Sequence, residues 1–202
     1  MLGHVRELLA DTAVTEAIDS FVKRLHPYER VNVLGQKLVQ LTMPGVPDLY
    51  QGCELTGWAL VDPDNRRPVD YARRRTILTA LDSRIEPGIE PLTLDEEKLL
   101  VTSRALRLRR LHPDWFESSF TPLRAEGLAA QHALAFARGE AVTVATRLPY
   151  GLAAKGGWAD TRLDAGQGPW QNVLTGEIHH ELVLSELLER LPVALLIPVE
   201  EV

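Results

Sequence analysis

The feature that most constrains the fold is the dipeptide Pro44-Gly45, which separates an apolar stretch with helical spacing from a segment rich in polar side chains. Proline lacks the backbone N–H that a helix interior requires, and glycine has no Cβ to favour helical geometry, so we expect the preceding helix to end here. Residues 45–50 are long enough for one brief buried strand, and Gly52 then allows the backbone to turn. The predicted order around this point is therefore helix, strand and loop.

The predicted loop, residues 51–70, combines side chains that a solvated linker does not favour. The Trp58 indole stands among carboxylates, carboxamides and guanidinium groups, and the candidates to contact a substrate are Gln51, Glu54, Asp62, Asp64, Asn65, Arg66 and Arg67. Such polar groups hydrogen-bond pairs of hydroxyls, while an indole covers the apolar face of a sugar ring, so the loop predicts a carbohydrate ligand. The alternative interpretation is that the charged residues between 62 and 67 pair among themselves and only order the loop.

Apolar spacing predicts helices before and directly after this loop. Residues 5–25 are expected to form two helices with a break at Asp11-Thr12, and residues 30–42 form a third that ends before Pro44. After the loop, residues 71–84 have one apolar side, which suits a helix packed against a sheet.

A connector and one more helix follow. Residues 85–92 contain two prolines and a glycine, which predicts a rigid connector rather than a flexible linker. Thr93 and Glu96 have the spacing of a capping box, and the helix that they start is expected to run to Leu111 and to end at His112-Pro113.

From residue 116 onward the apolar pattern changes to short runs that are typical of strands, separated by turns that contain glycine. Strands are predicted over 121–125, 131–137, 141–148, 161–164, 170–174 and 193–199, with a short helix within 182–191. The runs predict a small antiparallel β domain over 116–202, with enough apolar positions to close two sheets unaided. Trp158 and Trp170 are expected in its core, and His179-His180 in a solvated turn rather than at a metal.

Composition excludes several classes of function. A net charge of −6 argues against a nucleic-acid partner, and the arginines within 73–75 and 104–110 are expected on solvated helix faces. No apolar run approaches the roughly 20 residues that span a bilayer, and no glycine-rich phosphate loop or metal-ligand spacing predicts a cofactor. The single cysteine, Cys53, excludes an intramolecular disulfide and fits a cytoplasmic protein, in which we expect it to be a small packing residue.

The segments PGVPDLYQGCEL and LVDPDNRRPVDY resemble the end of the catalytic barrel in alpha-amylase-type glycoside hydrolases. Amylase relatives commonly share a Gly-x-Pro and then a Tyr-x-Gly-x-Glu pattern in the last barrel strand, here Gly45, Pro47, Tyr50, Gly52 and Glu54. The run DPDNRRPVD narrows the resemblance to the malto-oligosyltrehalose synthases. It continues through FTPLRAEG, GGWADTRL, NVLTG and LLERLPVALL, and so covers nearly all of the chain.

This resemblance implies an α+β architecture. Residues 1–92 would be helices with the last strand, loop and helix of a (β/α)₈ barrel, residues 93–115 a connecting helix, and residues 116–202 an antiparallel β-sandwich. The loop after a barrel strand lies at the end where such barrels have their active sites. The seven candidate loop residues would therefore contact the substrate.

The resemblance also implies a reaction. The family converts the reducing-end α-1,4 linkage of a malto-oligosaccharide into an α,α-1,1 linkage by intramolecular transglycosylation, which uses a pair of carboxylic residues. In the family these residues belong to earlier barrel strands, and no stretch of this chain matches those motifs. We therefore expect a C-terminal piece that carries no catalytic residue, is inactive without the rest of the barrel, and self-associates through the surfaces left uncovered. Two alternatives are another amylase-type hydrolase or transglycosidase, and a freestanding glucan-binding module without catalysis.

Overall fold

The computed structural model of the chain describes residues 2–59, 61–83, 92–117 and 119–199. It begins with α1 (Leu2–Ala10) and α2 (Thr12–Thr42), which are separated by Asp11. The Asp11 carboxylate accepts hydrogen bonds from two backbone N–H groups of the first turn and caps α2. The predicted break is confirmed, but the predicted boundary between residues 25 and 30 is wrong. Helix α2 continues through Pro27, since a proline removes one helical hydrogen bond and the bonds on either side of it remain.

The segment after α2 does not form the predicted strand. Residues 43–50 are neither helical nor extended in a ladder, and Val46 is 94% exposed. A buried strand needs a neighbouring strand to satisfy its N–H and C=O groups, and in the described part of the chain none pairs with this segment. The expectation of a buried strand over 45–50 is therefore wrong, whereas the predicted end of the helix before Pro44 is confirmed.

Two helices follow the loop. A short 3₁₀-helix (Asp62–Arg66) lies within the loop, and α3 (Tyr71–Ser83) and α4 (Leu94–Leu111) follow it. Thr93 accepts a hydrogen bond from the Glu96 N–H, and Glu96 accepts one from the Thr93 N–H, so the predicted capping box is confirmed. The connector that we predicted over 85–92 lies, apart from its last residue, outside the described residues.

The second half of the chain forms sheets with short helices between their strands. The elements in order are α5 (Pro113–Glu117), β1 (Phe120–Leu123), β2 (Ala125–Glu126), β3 (Ala133–Arg138), β4 (Ala141–Thr146), α6 (Pro149–Ala154), β5 (Arg162–Leu163), β6 (Trp170–Asn172), β7 (Ile178–His179), α7 (Leu184–Leu187) and β8 (Val193–Pro198). Six strands form one antiparallel sheet in the order β1-β3-β4-β8-β6-β7, and β2 pairs with β5. The predicted mixture of helices with antiparallel sheet is confirmed. The barrel and sandwich descriptions stay predictions.

Three elements of this half, α5, α6 and β7, were not predicted. Helix α6 occupies a segment that we expected to be a turn between strands. His179 lies in β7 opposite Trp170, so the expectation of a solvated turn at His179-His180 is wrong for His179. Trp158 and Trp170 pack in an apolar cluster, which confirms their predicted core position.

Alternation along β4 and β8 divides the apolar core between the two faces of the sheet. On one face, Ala145 and Leu195 pack against Leu34 and Leu38 of α2 and against Val101 of α4. On the other face, alternate residues of the same strands, Val142, Val144, Ala194 and Leu196, pack against short elements of the chain. Their partners include Leu163 of β5 and Leu184 and Leu187 of α7. The sheet therefore has a helical layer on one side and short elements on the other.

This arrangement contradicts the expectation that residues 116–202 close a core without help. Leu34, Leu38 and Leu41 of α2 are fully buried against the sheet. Arg30 of α2 also makes two hydrogen bonds of 2.7 Å to the buried Glu97 of α4, together with one of 2.8 Å to the Arg190 carbonyl ahead of β8. The helices on both sides of the loop and the sheet thus share one core. Within the described residues, no helix combines the length and apolar character needed to cross a bilayer.

Candidate functional site

The loop of residues 43–70 is fixed at a few points by side chains of the surrounding helices. Arg74 of α3 makes three of these contacts, at 2.9 Å to the Glu54 carboxylate, 2.8 Å to the Gly52 carbonyl and 3.0 Å to the Asp70 carbonyl. Its side chain is only 16% exposed. One guanidinium group therefore joins the beginning and the end of the loop.

A second anchor lies at the start of α4. The Asp95 carboxylate accepts hydrogen bonds from the Thr56 N–H at 2.8 Å and from the Thr56 hydroxyl, and it also pairs with Arg73 at 2.5 Å. Burial raises the pKa of Asp95, but the Thr56 hydrogen bonds and the Arg73 charge outweigh burial and hold that pKa below its ordinary value. The carboxylate is thus kept ionised where it holds the loop.

Two lysines form the third anchor, beneath the loop. Lys98 of α4 donates to the Leu55 carbonyl at 2.7 Å. Lys37 of α2, which is 7% exposed, donates to the Gln40 carboxamide at 2.8 Å, and Gln40 donates to the Asp48 carbonyl at 2.6 Å. The chain from residue 48 to residue 55 is held from both sides.

The two ammonium groups share one environment. Burial lowers the pKa of Lys37, against the opposing effect of the neighbouring Cys53 and Glu54. Burial also lowers the pKa of Lys98, and the Lys37 charge adds to this lowering. Cys53 is a half-buried free thiol beside these groups, rather than the fully buried packing residue that a core position would give.

The arginine clusters form the expected solvated faces only in part, since Arg73, Arg75 and Arg110 are exposed. Besides Arg73 and Arg74, Arg107 makes two hydrogen bonds to Asp82, and Arg109 donates to the Leu41 and Gly45 carbonyls at 3.1 and 3.2 Å. Loop carbonyls and carboxylates on neighbouring helices are good acceptors for a guanidinium group with five donors. That expectation is therefore wrong for Arg74 and Arg109, which are half-buried on loop carbonyls, whereas Arg73 is exposed although it pairs with Asp95.

The charged residues of the 3₁₀-helix pair with one another. Arg66 bonds to Asp62 at 2.7 Å, and Arg67 bonds to Asp64 at 2.5 Å. Both arginine side chains are 71% exposed, so each keeps donors that face solvent. This is the pairing that the loop-ordering alternative predicts, and contact of these residues with a sugar stays a prediction.

The remaining candidates belong to the same loop. Gln51 and Asn65 are exposed, and Glu54 is half-buried on Arg74. Trp58 is 82% exposed, although it is a large apolar side chain. A loop that combines an exposed indole with paired charges and carboxamides has the composition of a carbohydrate-binding surface. Among the described residues, His, Cys, Asp and Glu side chains do not gather in a group of three or more that could hold a metal ion.

The anchoring residues Lys37, Arg74, Asp95 and Lys98 were not among the predicted site residues. A signal was present for the lysines, because Lys98 lies on the same helix face as Leu94 and Val101, and Lys37 lies beside Leu34 and Leu38. A charged residue within an apolar stripe has to find a partner when it is buried. No sequence pattern gives the partner itself.

Comparison with known proteins relates the chain to enzymes. No family model matches it. The chain is 40% identical over 194 residues to a protein of Mycobacterium tuberculosis named as a maltooligosyl trehalose synthase, and this match covers 95% of the chain and 24% of that protein. The solved structure of maltooligosyltrehalose synthase from Arthrobacter ramosus is 43% identical with a TM-score of 0.87, over 95% of the chain and 25% of that protein.

A third solved structure, of a Thermus thermophilus protein, is 20% identical with a TM-score of 0.50 over 83% of the chain and 31% of that protein, and it shares the fold alone. The two stronger matches place the chain among relatives of enzymes of trehalose biosynthesis. The particular relatives are the maltooligosyltrehalose synthases, whose C-terminal region this chain matches, so the predicted resemblance is confirmed. The chain spans about a quarter of the length of these relatives.

Proposed function

We propose that this chain forms the loop wall and the supporting C-terminal part of a maltooligosyltrehalose synthase, at which a malto-oligosaccharide is rearranged by intramolecular transglycosylation. The reducing-end α-1,4 linkage would become an α,α-1,1 linkage. The observation that carries the proposal is the exposed Trp58 in a polar loop fixed by Arg74, Asp95 and Lys98. The 40% identity to the named synthase supports the choice of reaction.

The proposed role of the loop is to position the sugar. Trp58 would cover the apolar face of one ring, while Gln51 and Asn65 would hydrogen-bond its hydroxyls. Arg66 and Arg67 would donate their remaining N–H groups while Asp62 and Asp64 keep them in place. Correct placement is valuable because a shift of about 1 Å at a reacting centre can cost about a hundredfold in rate.

We infer that the nucleophile and the general acid come from other parts of the synthase. Retaining glycosyl transfer needs two carboxyl groups roughly 5–5.5 Å apart, of which one has to be protonated beside the leaving oxygen. In this chain, Glu54, Asp62, Asp64 and Asp95 each bond to an arginine. The partner of the chain would then be the barrel segment that carries the two reacting carboxyl groups. This chain would provide the final unit of that α/β barrel and the β-sandwich that follows it.

Complementation tests this proposal. The chain is incubated with maltopentaose alone, and then with the remaining three quarters of the Arthrobacter ramosus synthase expressed separately, and non-reducing product and free glucose are measured. We expect product only in the mixture, and less of it with Trp58→Ala than with Trp58→Phe. Product from the chain alone would refute the assignment of the carboxylates. Free glucose as the main product in the mixture would favour the alternative of a hydrolase.

The freestanding glucan-binding module is the second candidate, and exposed Trp58 favours it equally. Saturable binding of maltopentaose to the chain, with no product in the mixture, would support the module against the synthase part.

For either function we propose a cytoplasmic location, because one cysteine provides no intramolecular disulfide.

We also propose that the isolated chain self-associates through α1 and the first half of α2. Seven large apolar side chains there are 41–64% exposed: Val5, Leu8, Leu9, Ile18, Phe21, Val22 and Leu25. Exposed apolar side chains in this number favour association. Light scattering is expected to show a dimer that Phe21→Glu dissociates, and a monomer at high concentration would contradict the proposal.

A further inference from the structure

A second concave site lies at the opposite end of α4 from the Thr56 anchor of the loop, on the side of the six-stranded sheet that faces the helices. It has a volume of about 250 Å³ and is lined by His112, Trp115, Glu140, Gln171 and residues 197–199. Pockets for drug-sized ligands begin near about 300 Å³, so this one suits a smaller ligand such as one or two sugar rings. The end of α4, α5, the turn between β3 and β4, β6 and β8 meet at it.

The aromatic wall of the pocket is held rigidly. The Trp115 indole stacks on the His112 imidazole, with ring centroids 3.8 Å apart and an interplanar angle of 13°. Gly139 packs directly against Trp115, where an added Cβ would come within 2.7 Å of the Trp115 Cα. Gly139 also has a φ of +54°, so the turn between β3 and β4 requires glycine on two counts. The indole is thus fixed before any ligand arrives, which lowers the entropy cost of binding.

The polar wall comes from two side chains. Gln171 lies opposite Ile197 in the β6–β8 register, so it points to the same face as the pocket, and Glu140 projects from the turn after β3. Both residues are exposed, and within the described residues neither side chain makes a hydrogen bond to protein. The pocket therefore has a carboxylate and a carboxamide whose hydrogen-bonding groups are available to a ligand, next to a fixed aromatic ring.

We propose that this pocket is a second carbohydrate-binding site, which takes one or two glucosyl units of an α-glucan. The stacked Trp115 and His112 rings supply aromatic contact, Glu140 and Gln171 bond the hydroxyls, and the segment 197–199 provides apolar contact. The choice of an α-glucan rests on the proposed function, whereas the pocket itself does not.

The position of the pocket suggests its use. His112 follows the last turn of α4, whereas Thr56, two residues before Trp58, is anchored at Asp95 in the first turn of the same helix. At the rise of an α-helix, these points are about 25 Å apart, so the two sites are separate. A distant site holds the unreacting part of a long substrate, and its binding energy helps to keep the reacting end in place.

The test uses the whole chain, maltoheptaose and the indole N–H signals of the four tryptophans in NMR spectra. Trp115 reports on the pocket, Trp58 reports on the loop, and Trp158 and Trp170 serve as internal references because they pack in the core. We expect a saturable shift of the Trp115 signal. Gln171→Ala and Glu140→Ala should each weaken this binding about fivefold, the value of one lost hydrogen bond.

Matched controls are Gln167→Ala and Glu189→Ala, which remove the same groups from exposed positions elsewhere and should leave the affinity unchanged. A Trp58 shift without a Trp115 shift would overturn the second site and leave the proposed function intact. A Trp115 shift without a Trp58 shift would support the second site and count against the proposed contact of the loop with the sugar. Equal weakening by the control variants would also overturn the site. An equal Trp115 shift with cellopentaose would overturn the assignment to α-glucans.

Discussion

The body of helices and sheet and the loop of residues 43–70 are held by different interactions. In the body, Leu34, Leu38, Val193 and Leu195 are fully buried, and apolar contact joins α2 and α4 to the sheet. In the loop, Trp58 and Val46 are 82% and 94% exposed. The loop is fixed instead by directional hydrogen bonds from side chains of the helices.

This difference assigns separate tasks to the two regions. Each buried leucine contributes about 1.5–3 kcal/mol regardless of direction, so apolar burial provides stability. A hydrogen bond to a charged group contributes about 1.5–3 kcal/mol at most but fixes an atom in place, so the tethers provide position. A few anchors allow the side chains between them to remain in solvent, where a ligand can reach them.

The largest effect is expected in the body. Leu38→Ala should lower the free energy of unfolding by about 2–5 kcal/mol, because it leaves a cavity between α2 and the sheet. Urea denaturation measures this change. The matched control is Leu25→Ala, on the exposed first half of the same helix, which should change stability by no more than about 0.5 kcal/mol. Equal effects of the two variants would break the distinction between body and surface.

The next effect concerns the position of the loop. Arg74→Met removes the three hydrogen bonds to Glu54, Gly52 and Asp70 and should cost about 1–3 kcal/mol. The released loop should also be cleaved markedly faster by trypsin after Arg66, since the Arg67–Pro68 bond resists trypsin. The exposed neighbour provides the control, because Arg75→Met should leave both properties unchanged. Unchanged cleavage of the Arg74 variant would show that the loop is held in another way.

A smaller effect is expected from the lysines beneath the loop. Their pKa values are lowered in the folded protein from 10.5, so the unfolded chain binds more protons between the lowered pKa and 10.5. Stability should therefore rise with pH through this window. Unfolding measured from neutral pH up to this window should show the rise in the parent and lose it in Lys37→Met combined with Lys98→Met, whereas Lys155→Met at the surface should retain it. A fall with pH in the parent that the double variant abolishes would contradict the account.

The smallest effect belongs to the 3₁₀-helix. Asp62→Asn breaks an exposed pair with Arg66 and should change stability by about 0.5 kcal/mol or less. In this variant the free energy of maltopentaose binding should change by more than the free energy of unfolding, since Arg66 would lose the partner that orients it. Thermal unfolding and maltopentaose titration of the same sample separate these quantities. A lowered melting temperature with unchanged affinity would support the loop-ordering alternative.

Local chemistry made much of the body predictable from sequence. The end of α2 before Pro44 follows from the missing proline N–H, and the start of α4 follows from the Thr93 and Glu96 spacing. Five of the six strands of the large sheet follow from short apolar runs separated by turns, and β7 was not predicted. Each of these signals lies within a few residues of the element that it specifies.

What failed depends on contacts between distant segments. A strand over 45–50 was plausible by composition, but a strand forms only beside a partner, which the sequence does not display. The packing of the sheet against α2 was missed for the same reason. So were the anchors Arg74 and Lys98, whose partners in the loop lie 20 and 43 residues earlier in the sequence. The exposed candidates of the loop were identifiable because composition alone marks them.

Native-state hydrogen exchange tests the central claim, that both helices and the sheet are one cooperative body carrying a tethered loop. Amides of residues 34–41 in α2, of residues 99–108 in α4 and of β4 and β8 should exchange with the same free energy, equal to that of global unfolding. Amides of residues 43–50, outside any ladder, should exchange far faster. If α2 and α4 exchanged much faster than β4 and β8, the sheet would be a separate unit and the account would be wrong.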